Sequence, residues 1–216
     1  MRGLLQLGIL MMGVAGGVGA EPADVVPLPP PQTQGGMPLM EALKARHSTR
    51  ELRAEALPAQ VLSDLLWAAA GVNRPASGKR TAPSARDWRE IDVYVALADG
   101  TYRFDPDAHA LHRVLSRDVR ALTGIQDFVA QAPVNLVYVA NLDRMGDAGA
   151  EQRGLYAATD TGFIAQNVYL YCASAGLATV VRGSVDREAL GAALGLGSSQ
   201  RITLAQSVGY PPAGGR

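Results

Sequence analysis

The fold assignment starts from the segment GLYAATDTGFIAQNVYLYCASA, residues 154–175. This segment is apolar over most of its length and carries few charges after Asp160, which predicts one long helix. Its apolar residues, among them Phe163 and Val168, occupy much of the helix circumference. One subunit must therefore surround this helix almost completely or share it with a second copy.

Helices and strands alternate on both sides of this segment. A helix is predicted after Pro58, where apolar residues recur at helical spacing as far as Gly71, a suitable C-cap. Shorter helices are predicted near residues 39–43, 122–129 and 186–194. The residues from Ile91 to Leu97 alternate in polarity and lead through Asp99-Gly100 into a β-hairpin. Further strands are predicted at 134–140, 179–182 and 202–208, so we expect an α+β fold with helices around one mixed or antiparallel sheet.

The N-terminal segment predicts export. Arg2 is followed by an apolar run from Leu4 to Val18 and by small residues up to Ala20, the pattern of a cleavable signal peptide. The alternative is a retained membrane anchor. We therefore predict a signal peptide at 1–20, an extended Pro/Gly-rich arm at 21–37 and one domain at 38–216. The mature protein is expected to be periplasmic or secreted, without stable membrane association.

Composition excludes several classes of partner. Twenty Lys and Arg balance twenty Asp and Glu, so the chain has no broad basic field for nucleic acid. The single cysteine, Cys172, excludes an internal disulfide and a cluster of thiolate ligands, and three histidines argue against a histidine metal site. We predict no nucleic-acid partner and no metal.

Two polar segments have residue types suited to ligand binding. Arg46-His47-Ser48-Thr49-Arg50 places two guanidinium groups around a hydroxyl, a set that can surround a phosphate or an electron-rich ring. Its alternative is a solvated basic surface. The segment Gly78 to Ala85 contains small residues and a proline that fix a tight backbone path for a flat ligand, and its alternative is an ordinary connection.

The order of the motifs resembles the nitroreductase family of FMN-dependent oxidoreductases, in the small branch that is similar to the thiazole- and oxazole-forming dehydrogenases. Seven loose motifs in the family's order carry this resemblance: RHSTR (46–50), LLWAAAGVNR (65–74), GKRTAPSA (78–85), IDVYV (91–95), APVNLVYVA (132–140), DTGFIAQN (160–167) and SVGYP (207–211). The resemblance implies a nitroreductase-like fold and a homodimer with two FMN molecules at the subunit interface.

The same resemblance implies the residues of the flavin site. Arg46, His47 and Ser48 would lie at the FMN phosphate, and Arg50 at the pyrimidine edge of the flavin. The partner subunit would lay its loop of Pro83, Ser84 and Ala85 against the ring. The backbone at Arg182 and Gly183 would face N5. Many relatives complete the phosphate site with a C-terminal basic residue, for which Arg216 is the candidate.

The implied activity is hydride transfer through flavin N5 by a ping-pong mechanism, with a nitroaromatic or quinone-like small molecule as acceptor. NAD(P)H would bind transiently as electron donor, because the chain has no Rossmann glycine motif. The flavin carries the chemistry, so no catalytic side chain is predicted. The alternatives are an exported flavin-binding module without turnover and an enzyme like the peptide azoline oxidases.

Overall fold

The computed structural model describes residues 24–214. In that part of the chain the strands are β1 (Val25–Pro27), β2 (Val72–Arg74), β3 (Lys79–Arg80), β4 (Ile91–Leu97), β5 (Gly100–Asp105), β6 (Ala110–Leu115), β7 (Val134–Asn141), β8 (Ala178–Arg182) and β9 (Gln200–Gly209). The α-helices are α1 (Leu39–Ala45), α2 (Ala59–Ala70), α3 (Ala150–Ala175) and α4 (Arg187–Leu194). The predicted signal peptide and Arg216 lie outside the described residues.

Seven of the strands form one sheet in the order β1-β6-β5-β4-β7-β9-β8. Every neighbouring pair in this sheet is antiparallel. The remaining strands, β2 and β3, make a separate small hairpin. This arrangement confirms the α+β class and shows the sheet to be antiparallel.

The central strands are buried on both faces because helices cover each side. Side chains alternate along β7, so that Leu136 packs in the core with α2 and α3 while Val137 packs in the core with α4. The polar faces of the helices point away from these two cores. The result is three layers with the sheet in the middle.

The long helix α3 buries only part of its apolar surface within the chain. Ile164, Val168 and Cys172 lie in the core, and the last two have no exposed surface. By contrast, Leu155 is 60% exposed and Phe163 is 42% exposed. One chain therefore covers one side of this helix and leaves apolar side chains on another, and Val168 is not available for contact with a second subunit.

Two segments differ from the sequence-based expectation. The region predicted as a helix near 122–129 contains two short 3₁₀ turns, Arg120–Thr123 and Asp127–Ala130, because the backbone at Gly124 is extended between them. The strand β6 was not predicted, and it extends the hairpin of β4 and β5.

The described part of the proline-rich arm, residues 24–37, adds a short strand to the edge of the sheet. Val25–Pro27 pairs with β6, and Pro27 is tolerated there because an edge strand has one side without partners. Farther along the arm, the Pro29 carbonyl accepts a hydrogen bond of 2.5 Å from Ser63 Oγ on α2. Among the helices described, none combines the length and apolarity needed to cross a bilayer.

Candidate functional site

The segment 46–50 lies against the outer edge of the sheet. Helix α1 ends at Ala45, and Thr49 N then donates a 2.9 Å hydrogen bond to the Thr179 carbonyl on β8. Because β8 is the last strand of the sheet, its outer edge has backbone groups free to make this bond. The predicted phosphate-binding segment is therefore held beside the strand that leads to Arg182 and Gly183.

Tyr169 on α3 connects these two predicted parts of the site. Its hydroxyl shares a 2.8 Å hydrogen bond with Ser48 Oγ and accepts a 2.9 Å hydrogen bond from Val181 N. The Arg46 guanidinium lies over the Tyr169 ring, 5.3 Å from its centre. Sequence reasoning did not name Tyr169, and the available indication was a hydroxyl in an otherwise apolar part of the helix.

The charges of this segment suit an anion. Arg46 is half-buried, while His47, Ser48 and Arg50 are exposed. No salt bridge neutralises Arg46 or Arg50 within residues 24–214. His47 Nδ1 is 2.7 Å from the Ala45 carbonyl and so orients the ring along the backbone. The Arg46 guanidinium and the Ser48 hydroxyl thus fit a phosphate by their chemistry, and Arg50 adds a second positive charge to the segment.

The Arg182 side chain has a structural role. It is buried and donates hydrogen bonds to the Thr123 carbonyl at 2.6 Å, to Asn135 Oδ1 at 2.9 Å and to Ser207 Oγ at 3.0 Å. Burial lowers the pKa of Arg182 to about 10. Gly183 beside it is exposed, and an added Cβ would meet only Leu204, at 3.8 Å. A ligand can therefore approach the backbone closely here. The role predicted for Arg182 and Gly183, contact of their backbone with the flavin, does not need the Arg182 side chain.

The loop of Pro83, Ser84 and Ala85 is held by the other half of α3. Ala85 N donates a 2.9 Å hydrogen bond to Asp160 Oδ2. Ser84 Oγ donates to Glu90 Oε2 at 3.3 Å and accepts from Arg89 N at 2.9 Å. Asp160 and Tyr169 are nine residues apart, which is roughly 13 Å along a helix. Within one chain, α3 thus holds the loop and the segment 46–50 at different positions along its length.

Glu90 and Asp160 form a buried carboxyl pair behind this loop. Glu90 has no exposed surface, and Asp160 is 2% exposed. Burial, with the neighbouring Asp160 carboxylate as a further contribution, raises the pKa of Glu90 above its ordinary value. Sequence reasoning did not single out this pair, because Glu90 and Asp160 are far apart in the chain.

A cavity of about 410 Å³ opens beside the loop. Pro83, Ser84, Glu90 and Asp160 line it together with several basic side chains. The three predicted site segments therefore occupy two places: residues 46–50 and 182–183 lie near Tyr169, and residues 83–85 lie at the cavity near Asp160.

Comparison with known proteins gives a consistent family. The model of the nitroreductase family matches residues 43–210. A crystal structure of a protein from Ralstonia eutropha JMP134, assigned as a nitroreductase, is 48% identical with a TM-score of 0.84, and the match covers 88% of this chain and 90% of that one.

Two more distant structures share the fold. The NADPH:FMN oxidoreductase of Vibrio harveyi, solved with NAD+, is 21% identical with a TM-score of 0.59, and the match covers 81% of this chain and 69% of that one. A chain of the E. coli microcin synthetase complex is 18% identical with a TM-score of 0.66, and the match covers 82% and 75% of the two chains. The predicted resemblance to the nitroreductase family is confirmed. The predicted similarity to the thiazole- and oxazole-forming dehydrogenases is confirmed at the level of the fold.

Proposed function

Because this chain belongs to the nitroreductase family of oxidoreductases, we propose that it is an FMN-dependent enzyme that reduces a nitroaromatic or quinone-like small molecule. The observation that carries the proposal is the arrangement around Tyr169, where one hydroxyl contacts both Ser48 and the backbone of β8. A cofactor with an anionic end and a flat ring would contact both segments. The choice of cofactor is supported by the Vibrio harveyi protein of the same fold, which is an NADPH:FMN oxidoreductase.

In this proposal the segment 46–50 binds and orients the cofactor. Arg46 and Ser48 bind the phosphate, with His47 beside them. Tyr169 fixes the Ser48 hydroxyl in place through their 2.8 Å hydrogen bond. Arg50 places a positive charge at the pyrimidine edge of the ring, where it stabilises negative charge that arrives with two electrons.

FMN, when bound, supplies two-electron hydride chemistry at N5, in a ping-pong sequence in which the donor leaves before the acceptor binds. The backbone at Gly183 would be the part of this chain that lies close to the ring, since an added Cβ there would meet only Leu204, at 3.8 Å. NAD(P)H is the proposed transient donor.

A homodimer completes the proposed site. The loop of Pro83, Ser84 and Ala85 would come from the partner subunit, which agrees with the different positions of the two segments along α3. Helix α1 packs against α3, and both leave large apolar side chains in solvent: Leu39, Met40, Leu43, Leu155 and Phe163. Their exposure supports a subunit interface, because large apolar side chains left in solvent by one chain are commonly covered by another.

The proposal is tested by the bound cofactor and its reduction. Mild denaturation of purified protein should release FMN, identified by mass spectrometry, at one molecule per chain. Anaerobic NADPH or NADH should bleach the flavin absorbance, and a quinone should restore it. Protein that takes up no FMN after reconstitution would overturn the proposal. Bound FMN that neither nucleotide reduces would favour a flavin-binding module or an enzyme supplied by another donor.

A further inference from the structure

The 410 Å³ cavity beside the loop 83–85 has an unusual excess of basic side chains in its lining. Five cations line it: Arg74, Lys79, Arg80, Arg86 and Arg89. Only three carboxyl groups face them: Asp87, Glu90 and Asp160. Charged walls around a concave space raise the local concentration of ligands of opposite sign.

Arg80 is a largely buried cation of this lining that lacks a full set of hydrogen-bond partners. Its side chain is only 17% exposed, and its Nε has no hydrogen-bond partner among the described residues. The nearest carboxylate, on Asp107, is 3.5 Å away from the Arg80 terminal nitrogen and is itself largely exposed. Nε itself has no accessible surface, so an acceptor that enters the cavity would meet the exposed 17% of the Arg80 side chain.

The carboxyl groups do not cancel the positive charge. Asp87 is committed to Arg89 through hydrogen bonds of 2.8 and 2.7 Å. Glu90 and Asp160 face each other behind the loop, Asp160 Oδ2 accepts the hydrogen bond of the Ala85 amide, and burial raises the pKa of Glu90. The lining therefore stays net positive: Lys79 and Arg86 have no carboxylate partner among the described residues, and Arg80 has only the 3.5 Å contact with Asp107.

The backbone around the cavity is strained. Arg86, Asp87 and Arg89 have φ angles of 52°, 57° and 50°, in the left-handed region that side-chain-bearing residues rarely adopt. Such residues are energetically costly and persist where surrounding structure holds them, commonly at ligand sites. Three such residues within four positions mark this loop as a candidate ligand-binding segment.

We propose that this cavity binds an oxyanion group, carboxylate or phosphate, of a small molecule, with Arg80 as its principal partner and Lys79 and Arg86 at the rim. Pro83 and Ser84 belong both to the cavity lining and to the loop assigned to the flavin ring. The ligand is therefore an anionic electron donor or acceptor, an identification that rests on the proposed function. The substrate class is thereby narrowed from nitroaromatic or quinone-like molecules to those that carry a negative group.

Calorimetric titration of the purified protein with matched probes tests this inference. We expect 4-nitrobenzoate to bind at least tenfold more tightly than nitrobenzene if the source of the oxyanion is a carboxylate. NADP+ should bind at least tenfold more tightly than NAD+ if the source is a phosphate. The variants Arg80→Gln and Lys79→Gln should reduce that preference, by about tenfold for Arg80, because a charge-assisted interaction is lost.

The control is Arg117→Gln, which removes the same charge from an exposed residue outside the cavity. It should leave both preferences unchanged. Lys79 is exposed, so its variant decides the outcome if Arg80→Gln does not fold. Absence of both preferences, or their equal loss in Arg117→Gln, overturns the inference.

Arg46→Ala separates this inference from the proposed flavin site. The Arg80-dependent preference should survive in Arg46→Ala even as flavin content falls. A preference that follows Arg46 instead would place the anion at the flavin phosphate site and overturn the inference. Protein without any flavin that keeps the Arg80-dependent preference would contradict the proposed function alone.

Discussion

At the scale of single residues, the site depends on side chains that hold other groups in place. Tyr169 holds Ser48, and Asp160 holds the Ala85 amide. The roles of Arg46 and Arg50 come from the family resemblance of the RHSTR motif, and they stay predictions. The supporting residues could not be predicted from the sequence, because their partners are far away in the chain.

Arg46→Ala should weaken FMN binding without unfolding the subunit. Loss of a charge-assisted phosphate contact costs about 1.5–3 kcal/mol of binding free energy. Arg46 is only half-buried, so the fold should tolerate its removal. Fluorescence titration of FMN measures the affinity, and circular dichroism monitors the fold. Arg53→Ala, at an exposed arginine paired with Glu55, is the control. Full flavin content after dilution and dialysis would show that the phosphate assignment is wrong.

The buried Glu90 should make the free energy of unfolding depend on pH. Its pKa in the folded protein lies above the ordinary value of 4.5. The native state therefore retains a proton that the unfolded state releases, so stability is full below pH 4.5 and falls as the pH rises through the folded pKa. The side chains that face Glu90 are Asp160 and Ser84.

Glu90→Gln should flatten this dependence, since glutamine keeps an acceptor for Ser84 but has no charge. Urea unfolding at several pH values measures it. Glu188→Gln, at an exposed glutamate on α4, should leave the slope unchanged. A slope that persists in full in Glu90→Gln would refute the assignment.

At the scale of elements, α3 positions both parts of the candidate site, because Tyr169 contacts the segment 46–50 and Asp160 contacts the loop 83–85. The helix buries one side within the chain and leaves Leu155 and Phe163 exposed on another. Helix α2 could be predicted closely, since its apolar spacing begins after Pro58 and ends at Gly71. Strand β6 was missed because ALHRVL lacks a clear alternation of polar and apolar residues. The left-handed turn at Arg86 to Arg89 could not be predicted either, because no glycine marks it.

Phe163→Glu tests the proposed interface on α3 better than a charge at Val168. Val168 is fully buried within one chain, so a charge there would unfold the subunit itself. Phe163 is 42% exposed, so glutamate should be tolerated by the subunit while it disrupts an apolar interface. We expect folded monomers with reduced flavin content, because a ligand that contacts both chains stabilises the dimer by mass action.

Analytical ultracentrifugation and flavin absorbance measure this outcome together. The control is Val25→Glu, on the strand at the opposite edge of the sheet from β8. Wild-type protein that sediments as a monomer and still retains one FMN per chain would contradict the shared site.

At the scale of the whole molecule, the sheet order places strand β1, which follows the predicted signal peptide, and the segment 46–50 at opposite edges of the sheet. Strand β1 forms one edge of the sheet, and β8, beside the segment 46–50, forms the other. The predicted cleavage after Ala20 lies a few residues before β1, where Asp24 already accepts a 2.7 Å hydrogen bond from Arg113 N. Removal of the signal peptide should therefore leave the site unaffected.

Export itself stays a prediction with a direct measurement. Mature protein should begin at or near Glu21 and be recovered from the periplasmic fraction or the medium. N-terminal sequencing of fractionated cells decides this. A soluble cytoplasmic protein that retains Met1 would contradict it.

The buried thiol of Cys172 can be used to measure how often the core of the protein opens. It is the only thiol in the chain, it has no exposed surface, and burial raises its pKa. A thiol reagent can react only in molecules whose core has opened, so the labelling rate reports how often that happens. Any ligand that binds the closed form must slow this labelling in proportion to its occupancy. Labelling kinetics can therefore compare candidate ligands without any knowledge of the reaction.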